Sequence, residues 1–80
     1  MGYLDSKDKR LVRDYIHKWV NAGGDKEVTV GNYQRTVQWS EGMTMAEIAE
    51  SEGVSKSAVI VSIINVVTLI KAFAQSEGVE

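Results

Sequence analysis

The feature that most restricts this chain is a run of 17 residues, Ala58 to Ala74, in which only Ser62, Asn65, Thr68 and Lys71 interrupt apolar side chains. That length is the lower limit for crossing a bilayer, and the polar interruptions favour a buried helix. Placed at 100° intervals, Leu69, Phe73, Val66, Val59, Ile70, Ile63, Ala74, Val67, Ile60 and Ile64 occupy a continuous arc of roughly 220°. A helix resting on one core surface needs little more than about 100°. Ile60, Ile64 and Val67 are therefore expected to remain partly exposed, and with Lys71 they form the expected homodimer interface, since a sizeable exposed apolar patch usually marks a contact; a groove for a different partner or an unusually enclosed monomer is the alternative. The β-branched content of the run points the same way, because such residues are mediocre helix formers that need packing to hold them. On this reading Ile64→Asp dissociates a dimer, whereas the same change at Ser62 is mild.

The remaining length bounds what this helix can pack against. Eighty residues make one domain, 1–80, and a chain of that size buries only about 60% of its unfolded surface. Nine Lys and Arg against eleven Asp and Glu give a formal charge of −2, which argues against a generally basic coat for nucleic acid. The charge is uneven: the first helix is basic, while Thr36 to Glu80 holds two basic and six acidic residues. The absence of Cys and the single His exclude thiolate zinc sites, disulfide scaffolds and thiol catalysis, and no cofactor or metal is expected. The opening MGYLDSKDKR has charges of both signs and no apolar core of a signal peptide, so a cytoplasmic location is expected.

Four helices are expected, an all-α domain. Leu11, Val12, Tyr15, Ile16, Trp19 and Val20 lie on one stripe of a first helix from Ser6 to Ala22, with Ser6 as its cap and Gly23-Gly24 at its end. Arg10, Arg13 and His17 project from the opposite side as a small basic face. A short second helix is placed at about Asn32 to Glu41 on the spacing of Tyr33, Val37 and Ser40. The alternative there is a short β segment near 26–30, pairing residues 27–30 with 35–39 as a hairpin. Thr44 and Glu47 have the spacing of a capping box, so a third helix runs Met45 to Glu52 and stops at Gly53. Ser55 caps the final helix, which extends to about Gln75 with Gly78 beyond it.

Two capped helices joined at Gly53-Val54 form a helix-turn-helix. The segment TMAEIAESEGVSKSAV, Thr44 to Val59, resembles the helix-turn-helix of bacterial and phage transcription regulators and, within them, is similar to the fourth region of sigma factors. Glu41-Gly42-Met43-Thr44 matches the lead-in, Glu47-Ile48-Ala49 the first helix, Gly53-Val54-Ser55 the turn, and Val59 the apolar anchor of the second helix. The similarity covers about a third of the chain, Val37 to Ile63. Each matched position also has a physical reason: Ala49 is small where a helix crosses, and Ile48, Val54 and Val59 fill the wedge.

The resemblance implies a DNA-binding surface at the start of the last helix, on Ser55, Lys56, Ser57, Ile60, Val61 and Ile64. Only Ser55, Lys56 and Ser57 suit DNA by chemistry, with Asn65 as the one residue able to pair with a base edge. Arg10, Arg13, Lys18 and Arg35 are candidate phosphate contacts. No activated nucleophile, acid/base pair or Gly-rich phosphate loop can be named, so no enzyme activity is expected. The leading expectation is a small dimeric regulator binding double-stranded DNA at paired half-sites. The alternative is a protein-binding adaptor or inhibitor that keeps the scaffold and engages a protein partner through its apolar last helix. No membrane association is expected.

Overall fold

A computed structural model describes Leu4 and residues 6–76, among which the chain forms four helices joined by short turns. They are α1 (Ser6–Asn21), α2 (Val30–Ser40), α3 (Met45–Glu52) and α4 (Lys56–Ser76). The expected Gly78 beyond α4 lies outside the described residues. The all-α expectation holds, and no strand occurs among the described residues.

The β segment near 26–30 is not formed, for a local reason. Asp25 accepts the Glu27 N–H through its side chain at 2.8 Å and the Val28 N–H through its carbonyl at 3.1 Å, turning the backbone away from an extended ladder. Thr29 then caps α2, its hydroxyl accepting the Asn32 N–H at 3.1 Å, so the helix begins at Val30, two residues earlier than its periodicity suggested. Ser6 is the first helical residue of α1 rather than the flanking cap.

Three helices end in the same way. The N–H of Gly23, Gly42 and Gly53 returns to the carbonyl of Val20, Trp39 and Glu50, and the next N–H, of Gly24, Met43 and Val54, returns to Trp19, Gln38 and Ala49. This double closure satisfies two otherwise orphaned carbonyls. It recurs in a chain with no proline, so glycine supplies its helix stops.

α4 is the axis of the fold. It touches α1, α2 and α3, while α1 and α3 share no contact. Val59, Ile63, Val66 and Ile70 are fully buried and meet Val12 and Ile16 of α1, Trp39 of α2, and Ile48 of α3 in one core. Burying each such side chain contributes about 1.5–3 kcal/mol relative to exposure. Enclosure from three sides accounts for much of the wide apolar arc, as the enclosed-monomer alternative expected. Val67 is accordingly buried, at 2% exposure, instead of facing outward. Lys71 stays on the surface, its side chain 48% exposed, and donates to a carboxylate oxygen of Asp8 on α1 at 3.0 Å. Ile60 and Ile64 remain half-buried. By length and composition α4 could cross a membrane; in this fold its apolar side faces the other helices.

Candidate nucleic-acid interface

The α3–α4 corner is built by caps on both sides. At the start of α3 the Thr44 hydroxyl accepts the Glu47 N–H at 3.1 Å, and the Glu47 carboxylate accepts the Thr44 N–H at 2.9 Å. This is the reciprocal box expected from their spacing. Gly53 closes α3 at φ 70° and ψ 29°, in the left-handed region where a Cβ is disfavoured. Ser55 starts α4: its hydroxyl accepts the Ala58 N–H at 3.1 Å and its carbonyl the Val59 N–H at 3.3 Å.

The corner projects into solvent. Every residue from Glu50 to Ala58 is exposed, between buried Ala49 and buried Val59. Ser55, Lys56 and Ser57 are thus brought together at the tip and are accessible. Arg10 and Arg13 are exposed on α1, which does not touch α3, so they form a second surface instead of extending the first. His17 is exposed beside them. Lys18 instead lies 5.4 Å from the Tyr15 ring centroid, and Lys9 is 5.7 Å from that of Trp39.

Two candidate contacts are placed differently from expectation. Arg35 does not face outward toward a phosphate. Its Nε and Nη2 donate to Glu52 Oε1 at 2.8 and 2.6 Å, and its Nη1 donates to Ser62 Oγ at 2.8 Å, with a longer contact of 3.5 Å to Asn32. The guanidinium is held by this pairing, with its side chain only 16% exposed. Its hydrogen bonds to Glu52 raise the Arg35 pKa, against desolvation, and lower that of Glu52 below the ordinary carboxylate range. Asn65 is exposed, but it lines a groove with Asp25, Glu27, Val28, Asn32, Val66 and Leu69. Two carboxylates beside it disfavour an approaching phosphate backbone.

The same pairing alters the charge of the corner. Of the three α3 carboxylates, Glu47 is engaged in the capping box and Glu52 is matched by Arg35. Glu50 and Lys56 are both exposed.

Ser62 is a further residue that sequence reasoning misplaced. It is 9% exposed, so substitution there is not mild. Its hydroxyl donates to the Ala58 carbonyl at 2.9 Å while accepting from Arg35. The signal was present: Ser62 stands three residues after Val59 and four before Val66, on the buried side of α4, where a polar group requires a partner.

Among the described residues no group of three or more His, Asp or Glu side chains is arranged to hold a metal ion. Compared with protein-family models, curated proteins and solved structures, the chain matches none of them.

Proposed function

We propose that this chain is a small DNA-binding regulator of transcription, of bacterial or phage type, that presents the α3–α4 corner to a duplex. The observation that carries this reading is the exposed run Glu50–Ala58, fixed by a cap on each side and displaying Ser55, Lys56 and Ser57 at the start of a long helix. Hydroxyl and ammonium groups in that position suit phosphate and groove-edge contacts. Arg10 and Arg13 add backbone contacts from α1 where the duplex reaches them. A dimer, on this reading, meets through half-buried Ile60 and Ile64.

Selection from random duplexes tests the proposal. An enriched sequence should emerge, with binding lost on Lys56→Glu. Neutralising that one contact, as in Lys56→Gln, should reduce the salt slope by about 1. Failure to retain any duplex at low salt rejects it.

A specific observation favours a second reading, a protein-binding adaptor. Val61 is 57% exposed at a position the resemblance assigns to the DNA-facing surface, and Val54, expected to fill the wedge between the helices, is instead 38% exposed; neither has a side-chain donor or acceptor. Under that reading Val61→Asp abolishes capture of a protein partner from lysate while Lys56→Glu leaves it unchanged. The DNA reading predicts no such partner.

A further inference from the structure

Arg35 reaches from α2 to both sides of the α3–α4 turn. Its carboxylate partner, Glu52, is the last residue of α3, and its hydroxyl partner, Ser62, lies in the second turn of α4. The two acceptors therefore straddle residues 53–55. From Ser62 the bonds continue inward to the corner: its hydroxyl donates to the Ala58 carbonyl, and the Ala58 N–H donates to the Ser55 hydroxyl.

The apolar core does not supply an equivalent restraint. Between Ala49 and Val59 no side chain is buried, and segments with few buried contacts open locally at a lower free energy than the core. A guanidinium suits the role because its planar fork can satisfy two differently placed acceptors at once, which an ammonium on a flexible stem does less well.

We propose that Arg35 is the positioning residue of the corner, a single guanidinium that holds the end of α3 and the start of α4 in register. Without it the corner opens as a local unit while the core around α4 stays closed. The inference concerns the shape of the corner and does not depend on what the corner binds.

Amide hydrogen exchange on the full chain tests it. The Val54 and Ala58 amides, which donate to Ala49 and to the Ser55 hydroxyl, report the corner. The amides of fully buried Val66 and Ile70 report the core. In Arg35→Met the corner amides should exchange at least about tenfold faster, the scale of one lost charge-assisted hydrogen bond, and the core amides, which follow global unfolding, should accelerate by a smaller factor. Arg35→Lys should recover only part of the protection. Glu52→Ala and Ser62→Ala each remove one arm, should each give part of the effect, and carry the test if Arg35→Met does not fold. Equal acceleration throughout the chain, unchanged corner amides, or full rescue by lysine would each overturn the proposal. A wild-type chain that binds no DNA would sink the proposed function and leave this exchange pattern unaffected.

Discussion

Two cations cross between helices toward the two ends of α4, and they are built in opposite senses. At the corner end the cation is the sheltered partner: the Arg35 side chain is 16% exposed and that of Glu52 32%. At the far end the anion is sheltered, Asp8 at 8% against 48% for Lys71. Neighbouring packing differs as well. The Asp8–Lys71 pair joins α1 to α4, which also meet through the Tyr15 and Phe73 rings, edge to face at 6.5 Å between centroids. Arg35 instead borders a stretch with no buried side chain. A polar tie beside good apolar packing adds to a contact that already exists, whereas one beside an exposed segment supplies much of the restraint.

The largest expected effect is one that the two ends share. Ile63→Ala, deep in the core at 0% exposure, should cost about 2–5 kcal/mol. Urea unfolding followed by fluorescence of Trp19 and Trp39 and by far-UV circular dichroism should then shift as one transition. Separate midpoints for the two signals would show that the ends are not held by a common helix.

The contrast itself is sharpened by an equivalent change at each cation. Arg35→Met removes the donors of Ser62 and Glu52 and should cost about 1–3 kcal/mol. Lys71→Met removes a half-exposed partner and should cost no more than about 1 kcal/mol. Chemical denaturation that ranks the two in the reverse order would break the comparison.

The smallest effect concerns pH. Hydrogen bonding from Arg35 lowers the Glu52 pKa on folding, so this contribution is fully present above the unfolded value, roughly 4.3. It is lost as the pH falls through the lower, folded value. The difference in stability between wild type and Arg35→Met should therefore narrow by about 0.5 kcal/mol on acidification, a size suited to a partly exposed pair. Urea midpoints measured on both proteins from neutral to acid pH check this, and a gap that stays constant would show that Glu52 contributes nothing through its charge.

The expectations that held rest on short-range chemistry. Thr44 and Glu47 are three residues apart, and their reciprocal bonds need nothing beyond the first turn of α3. Gly53 and Ser55 similarly define the end of one helix and the start of the next from their own backbone freedom and hydroxyl. Thr29 was overlooked as a cap because Val28, Thr29 and Val30 also alternate like a strand. The preceding Asp25 turn decided between the two forms.

The candidate site was legible only in part for a related reason. Ser55, Lys56 and Ser57 are short side chains or lie at a helix start, so their exposure follows from the corner itself. Arg35 and Lys71 are long, and helical phase gives the direction of Cβ but not the destination of a charge several bonds away. Both found carboxylates on neighbouring helices, at Glu52 and Asp8.

What the sequence determined by itself is the number of helices, their stops at Gly23, Gly42 and Gly53, and the capped corner between α3 and α4, because each depends on backbone groups within a few residues. What only the tertiary structure decided is how the 220° or so of apolar surface on α4 is covered, and which way its charged neighbours turn. Enclosure by three helices buries Val67 and Ser62 and leaves Arg35 and Lys71 tied to carboxylates on neighbouring helices. Those outcomes depend on contacts between residues distant along the chain, and the periodicity of one helix contains no information about them.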